Sequence, residues 1–237
     1  MLCSVIALAA YVALYAGAVI VSHEHGFVFM KTRKTAGTSV EIALSRVCGP
    51  EDVITPVTEE DEALRRAAGG RGPQHYLEPP NLERKAFNHM PVSMVRTMLG
   101  RRRFESYFSF AIERNPWDAV VSLFHWRNRD TGSGSPLPSF AEYVASEAVE
   151  TFAAKNQRIY RLRGEVAVDR VLRYESLGDE LGAVWTRLGL PGTPDLPHAK
   201  AGVRPRGPSY REYYDDASRE RVAALFAGPI ADLGYEF

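Results

Sequence analysis

Residues 27–45 read FVFM (Phe27 to Met30), KTRKTAGTS (Lys31 to Ser39) and VEIALS (Val40 to Ser45). Four apolar residues in succession suit a strand buried on both faces, as at the centre of a parallel sheet. Val40, Ala43 and Leu44 recur at helical spacing, and Thr38 or Ser39 is placed to cap the start of that helix. The turn between them is short and rich in Lys, Thr, Ser and Gly. A strand, a small-residue turn and a helix N-terminus together make an anion site. Backbone N–H groups point out of the turn, the helix dipole favours negative charge, and Lys31, Arg33 and Lys34 add formal positive charge. The plainer reading is an ordinary basic turn. Four hydroxyls, one Gly and two Lys within nine residues favour phosphate.

The loop departs from the nucleoside-triphosphate pattern, in which a Gly-Lys pair is followed by Ser or Thr. Here Lys34 precedes Gly37, and Thr38 and Ser39 follow it. A second stretch, residues 107–126, reads YFSFAIERNPWDAVVSLFHW. Tyr107 to Ile112 is an apolar-rich strand. Pro116 stands where proline is tolerated, in the first turn of a helix running through Trp126. Arg114 ends the strand, and Ser122 lies two turns into the helix. A guanidinium fork binds a phosphate dianion well, and a serine hydroxyl adds a donor. A surface Arg and a buried helix Ser would be the bland alternative for either residue alone. The order K-T-x-G-T-S resembles the 5′-phosphosulfate loop of sulfotransferases that use 3′-phosphoadenosine 5′-phosphosulfate (PAPS). Arg114-Asn115-Pro116 with Ser122 is similar to that family's 3′-phosphate motif, R-x-P-x-x-x-x-x-S. The likeness extends more weakly over residues 22–237, to the carbohydrate and heparan-sulfate type and to bacterial members.

Composition sets outer limits. At 237 residues the chain is long enough for one α/β domain with a substantial core. Lys plus Arg equals Asp plus Glu at 29 each, so there is no broad electrostatic case for nucleic acid. Cys3 and Cys48 are too few for a disulfide framework and show no metal-ligand spacing, which points to a reducing compartment. Residues 1–21 are apolar but for Ser4 and Gly17, and no charge comes before Glu24. As a helix this run would reach about 30 Å, enough to cross a bilayer. Yet no basic residue precedes it, and it runs almost directly into the first strand. Proteins of the resembled type often begin near the segment Ile20-Val21-Ser22-His23. A membrane anchor and an extended start both stand as readings, so the protein is expected to be cytoplasmic or membrane-associated through residues 1–21.

The rest of the chain supplies helices and one more candidate. Glu59 to Ala68 reads as a short polar helix in a segment otherwise rich in Pro, Gly and charge. Met94, Val95, Met98 and Leu99 fit one helix face, with Gly100 as its stop. Arg101 to Arg103 read as a solvated run. Ser139 and Glu142 form a capping box. Val166 to Tyr174 alternates as a strand, and Leu177 to Leu188 is a helix whose core face is Leu181, Val184, Trp185 and Leu188. Glu175 would be a structural residue or one that supports the site from behind. Lys200, Arg204 and Arg206 lie in a Pro- and Gly-rich segment that, in the resembled family, folds back over the nucleotide. Asp215 or Asp216 caps a last helix. His89 lies between the two phosphate motifs, where glycan sulfotransferases carry a base. His75 and Glu78 share that interval.

The resemblance implies a single α/β domain over residues 22–237. It would have a central parallel sheet of about five strands flanked by helices, a P-loop-like sulfotransferase fold with ligands at the strand C-termini. The implied reaction is sulfuryl transfer from PAPS to a hydroxyl of an acceptor, a glycan first of all, without a metal. Lys34 would hold the bridging oxygen. Thr35, Gly37, Thr38 and Ser39 would bind the 5′-phosphate, Arg114 and Ser122 the 3′-phosphate, and His89 would take the acceptor proton. Two alternatives stand beside it. One is a nucleotide kinase or other NTPase, with Ala167-Val168-Asp169 as a magnesium-binding strand end. The other is a membrane-anchored binding protein that keeps the fold without activity.

Overall fold

The structure is a computed structural model and describes residues 19–76, 89–129, 137–197 and 208–237. Strands β1 (Val19–Ser22) and β2 (Phe27–Met30) lead to helix α1 (Gly37–Ser45), then β3 (Val53–Ile54) and α2 (Glu59–Ala67). Helices α3 (Val92–Leu99) and α4 (Arg101–Ser106) precede β4 (Phe108–Glu113) and α5 (Pro116–Arg127). Helices α6 (Phe140–Ala145) and α7 (Glu147–Tyr160) are followed by β5 (Arg161–Leu162), β6 (Glu165–Val166) and β7 (Arg170–Arg173). After β7 come a 3₁₀ turn (Tyr174–Ser176), α8 (Leu177–Leu188), a second 3₁₀ turn (Tyr210–Tyr213), α9 (Asp216–Leu225) and α10 (Ala227–Leu233).

Five strands form the main sheet in the order β3-β1-β2-β4-β7. It is a mixed sheet, which corrects the expectation of a parallel one. Strands β2, β4 and β7 run parallel, while β1 pairs antiparallel with both β2 and β3. The reason is the length of the links. Only His23 to Gly26 separate β1 from β2, and so short a link closes a hairpin, whereas a parallel pair needs a crossover of about a dozen residues or more. Gly26 takes the left-handed conformation in that turn (φ 63°). Buried Asp52 anchors it: Oδ1 accepts the N–H of His23 at 2.6 Å, and Oδ2 accepts the Ser22 hydroxyl at 2.8 Å. The apolar run read over residues 1–21 therefore ends inside the sheet, because Val19, Ile20 and Val21 belong to β1. Residues 1–18 lie outside the described residues. Among the described residues no helix is long and apolar enough to cross a membrane.

Strand β2 is buried on both faces, as its four apolar residues predict. Phe27 and Phe29 pack with Phe110, Val40, Leu44, Leu181 and Trp185, beneath α1 and α8. Val28 and Met30 face the other way, toward Val95, Met98 and Ile159 of α3 and α7. Phe29 and Phe110 are register partners with ring centroids 5.2 Å apart. A third cluster joins α5, α6, α7 and α9 through Val120, Tyr143, Phe152 and Val222. The predicted α8, the Gly100 stop after α3 (φ 78°) and the Ser139–Glu142 capping box are all present. Asp215 caps α9. Arg101 to Arg103 are exposed, but on the short helix α4. The alternating stretch 166–174 is not one strand. Asp169 accepts the Ser109 N–H and hydroxyl, both at 2.7 Å, and the chain turns there between β6 and β7.

Candidate functional site

A cleft of about 860 Å³ opens where β2, β4 and β7 end. All eight residues singled out from the sequence line it: Lys34, Thr35, Gly37, Thr38, Ser39, His89, Arg114 and Ser122. Parallel strands place their following loops on one side, so the turn after β2 and the turn after β4 converge there.

The loop after β2 is held in an unusual backbone shape. Lys34 (φ 65°) and Ala36 (φ 55°) are both left-handed, and so is His89, which also lines the cleft (φ 56°). Such conformations cost roughly 1–3 kcal/mol each in residues other than Gly and cluster where a ligand is gripped. Alternating handedness turns successive N–H groups toward one point, the arrangement of an anion nest. Helix α1 then begins at Gly37, and its first bond runs from the Val40 N–H to the Ala36 carbonyl at 3.2 Å. Thr38 and Ser39 are thus the second and third helical residues and cap nothing, a correction to their expected place. The Thr38 hydroxyl instead accepts from Lys31 Nζ at 3.2 Å. Gly37 is required by the stem of Lys31, because a Cβ there would come 2.6 Å from Lys31 Cγ.

The loop's three positive charges have different fates. Lys31 is buried, and its ammonium is tied to Glu41 on α1, which is wholly buried. Arg65 of α2 lies 4.0 Å from the other Glu41 oxygen. Burial pushes the Glu41 carboxyl up against the pull of Lys31 and Arg65. Lys31 therefore braces the loop from behind. Arg33 lines the cleft with no carboxylate partner among the described residues, and its Nε is buried without a hydrogen bond. Burial and the nearby Arg127 push its pKa down. Lys34 places its ammonium 4.4 Å from the centre of the Trp126 ring. Thr35 is fully buried, and its hydroxyl bonds within the loop, to Thr32 Oγ1 at 2.9 Å. Its backbone, not its hydroxyl, is what it offers an anion.

Arg114 links the two halves. Its Nη1 donates to the Lys34 carbonyl at 3.2 Å, its Nε and Nη2 donate to Asp118 at 2.9 and 2.6 Å, and its guanidinium stacks over Tyr174 at 4.4 Å. Asp118 stands one helical turn before Ser122 on α5. That helix starts with Asn115 as cap and Pro116 in first place. Glu175 fills the structural place expected of it: it accepts the Asn115 N–H at 2.7 Å and the Tyr235 hydroxyl at 3.1 Å.

The histidines separate. His89 Nδ1 lies 2.9 Å from the Lys31 carbonyl. A carbonyl only accepts, so Nδ1 carries the proton and the lone pair of the neutral ring is on Nε2. His75 is exposed and bonds the Pro50 carbonyl at 3.0 Å, outside the cleft lining. Glu78, Lys200, Arg204 and Arg206 lie outside the described residues. Asp169, the residue that a kinase reading would put on magnesium, is at the start of β7, at the opposite end of the strands from the cleft. Trp126, Tyr174 and the braces Glu41 and Arg65 went unmarked in the sequence. Trp126 carried the one available signal, since it lies one helical turn past Ser122.

No protein-family model and no solved structure matches the chain. An uncharacterized protein of Archaeoglobus fulgidus is 33% identical over 108 residues, which is 45% of this chain and 88% of the archaeal one. The chain belongs to the same family as that archaeal protein. The shared part is less than half of this chain, so the two proteins differ greatly in length.

Proposed function

We propose that the protein is a sulfotransferase that moves a sulfuryl group from PAPS to a hydroxyl of an acceptor, on our reading a carbohydrate. The observation that carries this is the meeting, in one cleft, of the loop Lys34–Ser39, the Arg114–Ser122 pair and the His89 imidazole. The donor set suits a nucleotide with phosphates at two positions. The cleft brings a left-handed loop ahead of one helix start together with a guanidinium at a second helix start. Its volume of about 860 Å³ falls within the range of about 300–1,000 Å³ usual for small-molecule sites.

In this reading the backbone from Thr35 to Ser39 holds the 5′-phosphate, and Arg114 with Ser122 holds the 3′-phosphate. Asp118 keeps the Arg114 fork oriented until the phosphate shares it. The acceptor oxygen forms its bond to sulfur as the bond from sulfur to the 5′-phosphate oxygen breaks, and the acceptor proton passes to His89 Nε2. Lys34 moves from the Trp126 face to the leaving oxygen, where negative charge grows. The test is calorimetric: adenosine 3′,5′-bisphosphate should bind, and ATP with Mg²⁺ should bind far more weakly. The reverse order would favour a nucleotide kinase. Binding of the bisphosphate without turnover on any glycan would favour an inactive binding protein.

A further inference from the structure

The two arms of the cleft meet behind it at one buried carboxyl group. Glu113 ends β4 and is 1% exposed. Its Oε1 accepts the backbone N–H of Arg114 at 3.1 Å and Asn156 Nδ2 at 3.3 Å. Its Oε2 accepts the Tyr160 hydroxyl at 2.9 Å. Asn156 lies on α7, is fully buried, and uses its other end on the loop: Oδ1 accepts the backbone N–H of Arg33 at 2.7 Å. The next residue is Lys34, the first of the left-handed pair. A backbone in that region persists only where its surroundings fix it, and the Asn156 contact fixes the loop one residue upstream.

Glu113, Asn156 and Tyr160 are absent from the cleft lining, so they act through other residues. We propose that Glu113 and Asn156 are positioning residues, a buried strut that holds the Arg33–Ala36 loop and the Arg114 backbone in register so that both face one polyanion. This rests on reading the cleft as an anion site. Among the described residues no cation is hydrogen-bonded to the Glu113 carboxylate. Tyr160 donates to its carboxylate, Tyr235 donates to its backbone carbonyl at 3.0 Å, and Glu175 and Arg161 act on it with opposite sign. Burial accordingly pushes the Glu113 carboxyl up to about 7. The strut therefore works by hydrogen bonding rather than by charge. Gln can replace Glu113, because the Tyr160 hydroxyl can turn to accept from the new amide.

The experiment combines backbone amide exchange by NMR on the ligand-free full chain with calorimetry using adenosine 3′,5′-bisphosphate. Asn156→Ala should speed exchange at Arg33 by about tenfold and weaken the nucleotide by a similar factor, as expected for one lost buried hydrogen bond. Glu113→Ala should speed exchange at both Arg114 and Arg33, although Glu113 does not touch Arg33. Glu113→Gln should leave both near wild type. Phe29, in β2, should stay protected in all three variants. Unchanged exchange at Arg33 in Asn156→Ala, or a rise shared equally by Phe29, would overturn the strut. If Glu113→Ala does not fold, the contrast between Asn156→Ala and Glu113→Gln still decides. Failure of the wild type to bind the bisphosphate would overturn the nucleotide reading alone, since the exchange pattern tests the strut without ligand.

Discussion

Removing residues 1–21 should unfold the protein, although the sequence invites that cut. A chain beginning at Ser22 loses three of the four residues of β1. Val19, Ile20 and Val21 are each 0% exposed, with Ile20 in the core under α1 and α8 and the two valines in the core on the other face. Burial of one such side chain contributes about 1.5–3 kcal/mol, so the three contribute roughly 5–9 kcal/mol. Strand β1 also sits between β2 and β3. Its loss leaves one side of β2 without ladder partners and removes the contact of the Val19 N–H with Thr55 Oγ1 at 2.6 Å. The whole stability of a domain is about 5–15 kcal/mol, so the deletion takes away most of it. The assay compares chains beginning at Ser22 and at Ala18 by size-exclusion chromatography and thermal unfolding followed by circular dichroism. The Ala18 chain should unfold cooperatively, and the Ser22 chain should aggregate or show no transition. A cooperative Ser22 chain with a similar midpoint would refute the place given to β1.

The other predictions concern the site. Arg114→Ala should weaken adenosine 3′,5′-bisphosphate by about 1.5–3 kcal/mol, the value of a charged hydrogen-bonding partner, with unchanged affinity by calorimetry as the contrary result. His89→Ala should keep nucleotide affinity while kcat falls roughly 10²–10⁴-fold; near-normal turnover in the variant would move the base elsewhere. Lys34→Ala should lower kcat by roughly 10²–10³-fold, measured under saturating nucleotide. Glu113 gives a pH effect on stability. Its carboxyl is carried from an ordinary 4.5 to about 7 in the folded protein, so the folded state holds the proton more tightly. That contribution is complete below about pH 4.5 and is lost as pH rises through about 7; at about 1.4 kcal/mol per step of one in pKa it amounts to about 3 kcal/mol. Urea midpoints of the wild type should therefore fall relative to Glu113→Gln between pH 5 and pH 8, and parallel profiles would contradict the buried carboxyl.

Much of the cleft was legible because its parts are local. The turn after β2 and the Arg114–Ser122 pair each lie within one strand–helix unit, and the rule that ligands gather at strand ends brings them together. What was not legible depends on long-range packing. Strand β1 hides in an apolar run because a buried strand and a membrane segment share a composition. Its direction followed from the four-residue turn to β2, which was visible once the strand was recognised. Lys31 reads as another anion-binding charge until Glu41 and Arg65 are seen behind it, the latter on a helix that the sequence marks only as polar. Glu113 and Asn156 are 43 positions apart, and nothing local marks their contact. Asp169 shows the reverse error: its strand-end position looks catalytic, but it lies at the wrong end of the strand.

The most direct measurement is turnover. The full chain is incubated with PAPS labelled in its sulfuryl group and a panel of polysaccharides, and both the labelled glycan and the released adenosine 3′,5′-bisphosphate are quantified. The two products should appear in equal amounts with at least one acceptor, and both should fall by at least about a hundredfold in His89→Ala, although that variant still binds the bisphosphate. Bisphosphate that neither binds nor forms, with ATP and Mg²⁺ bound in its place, would contradict it.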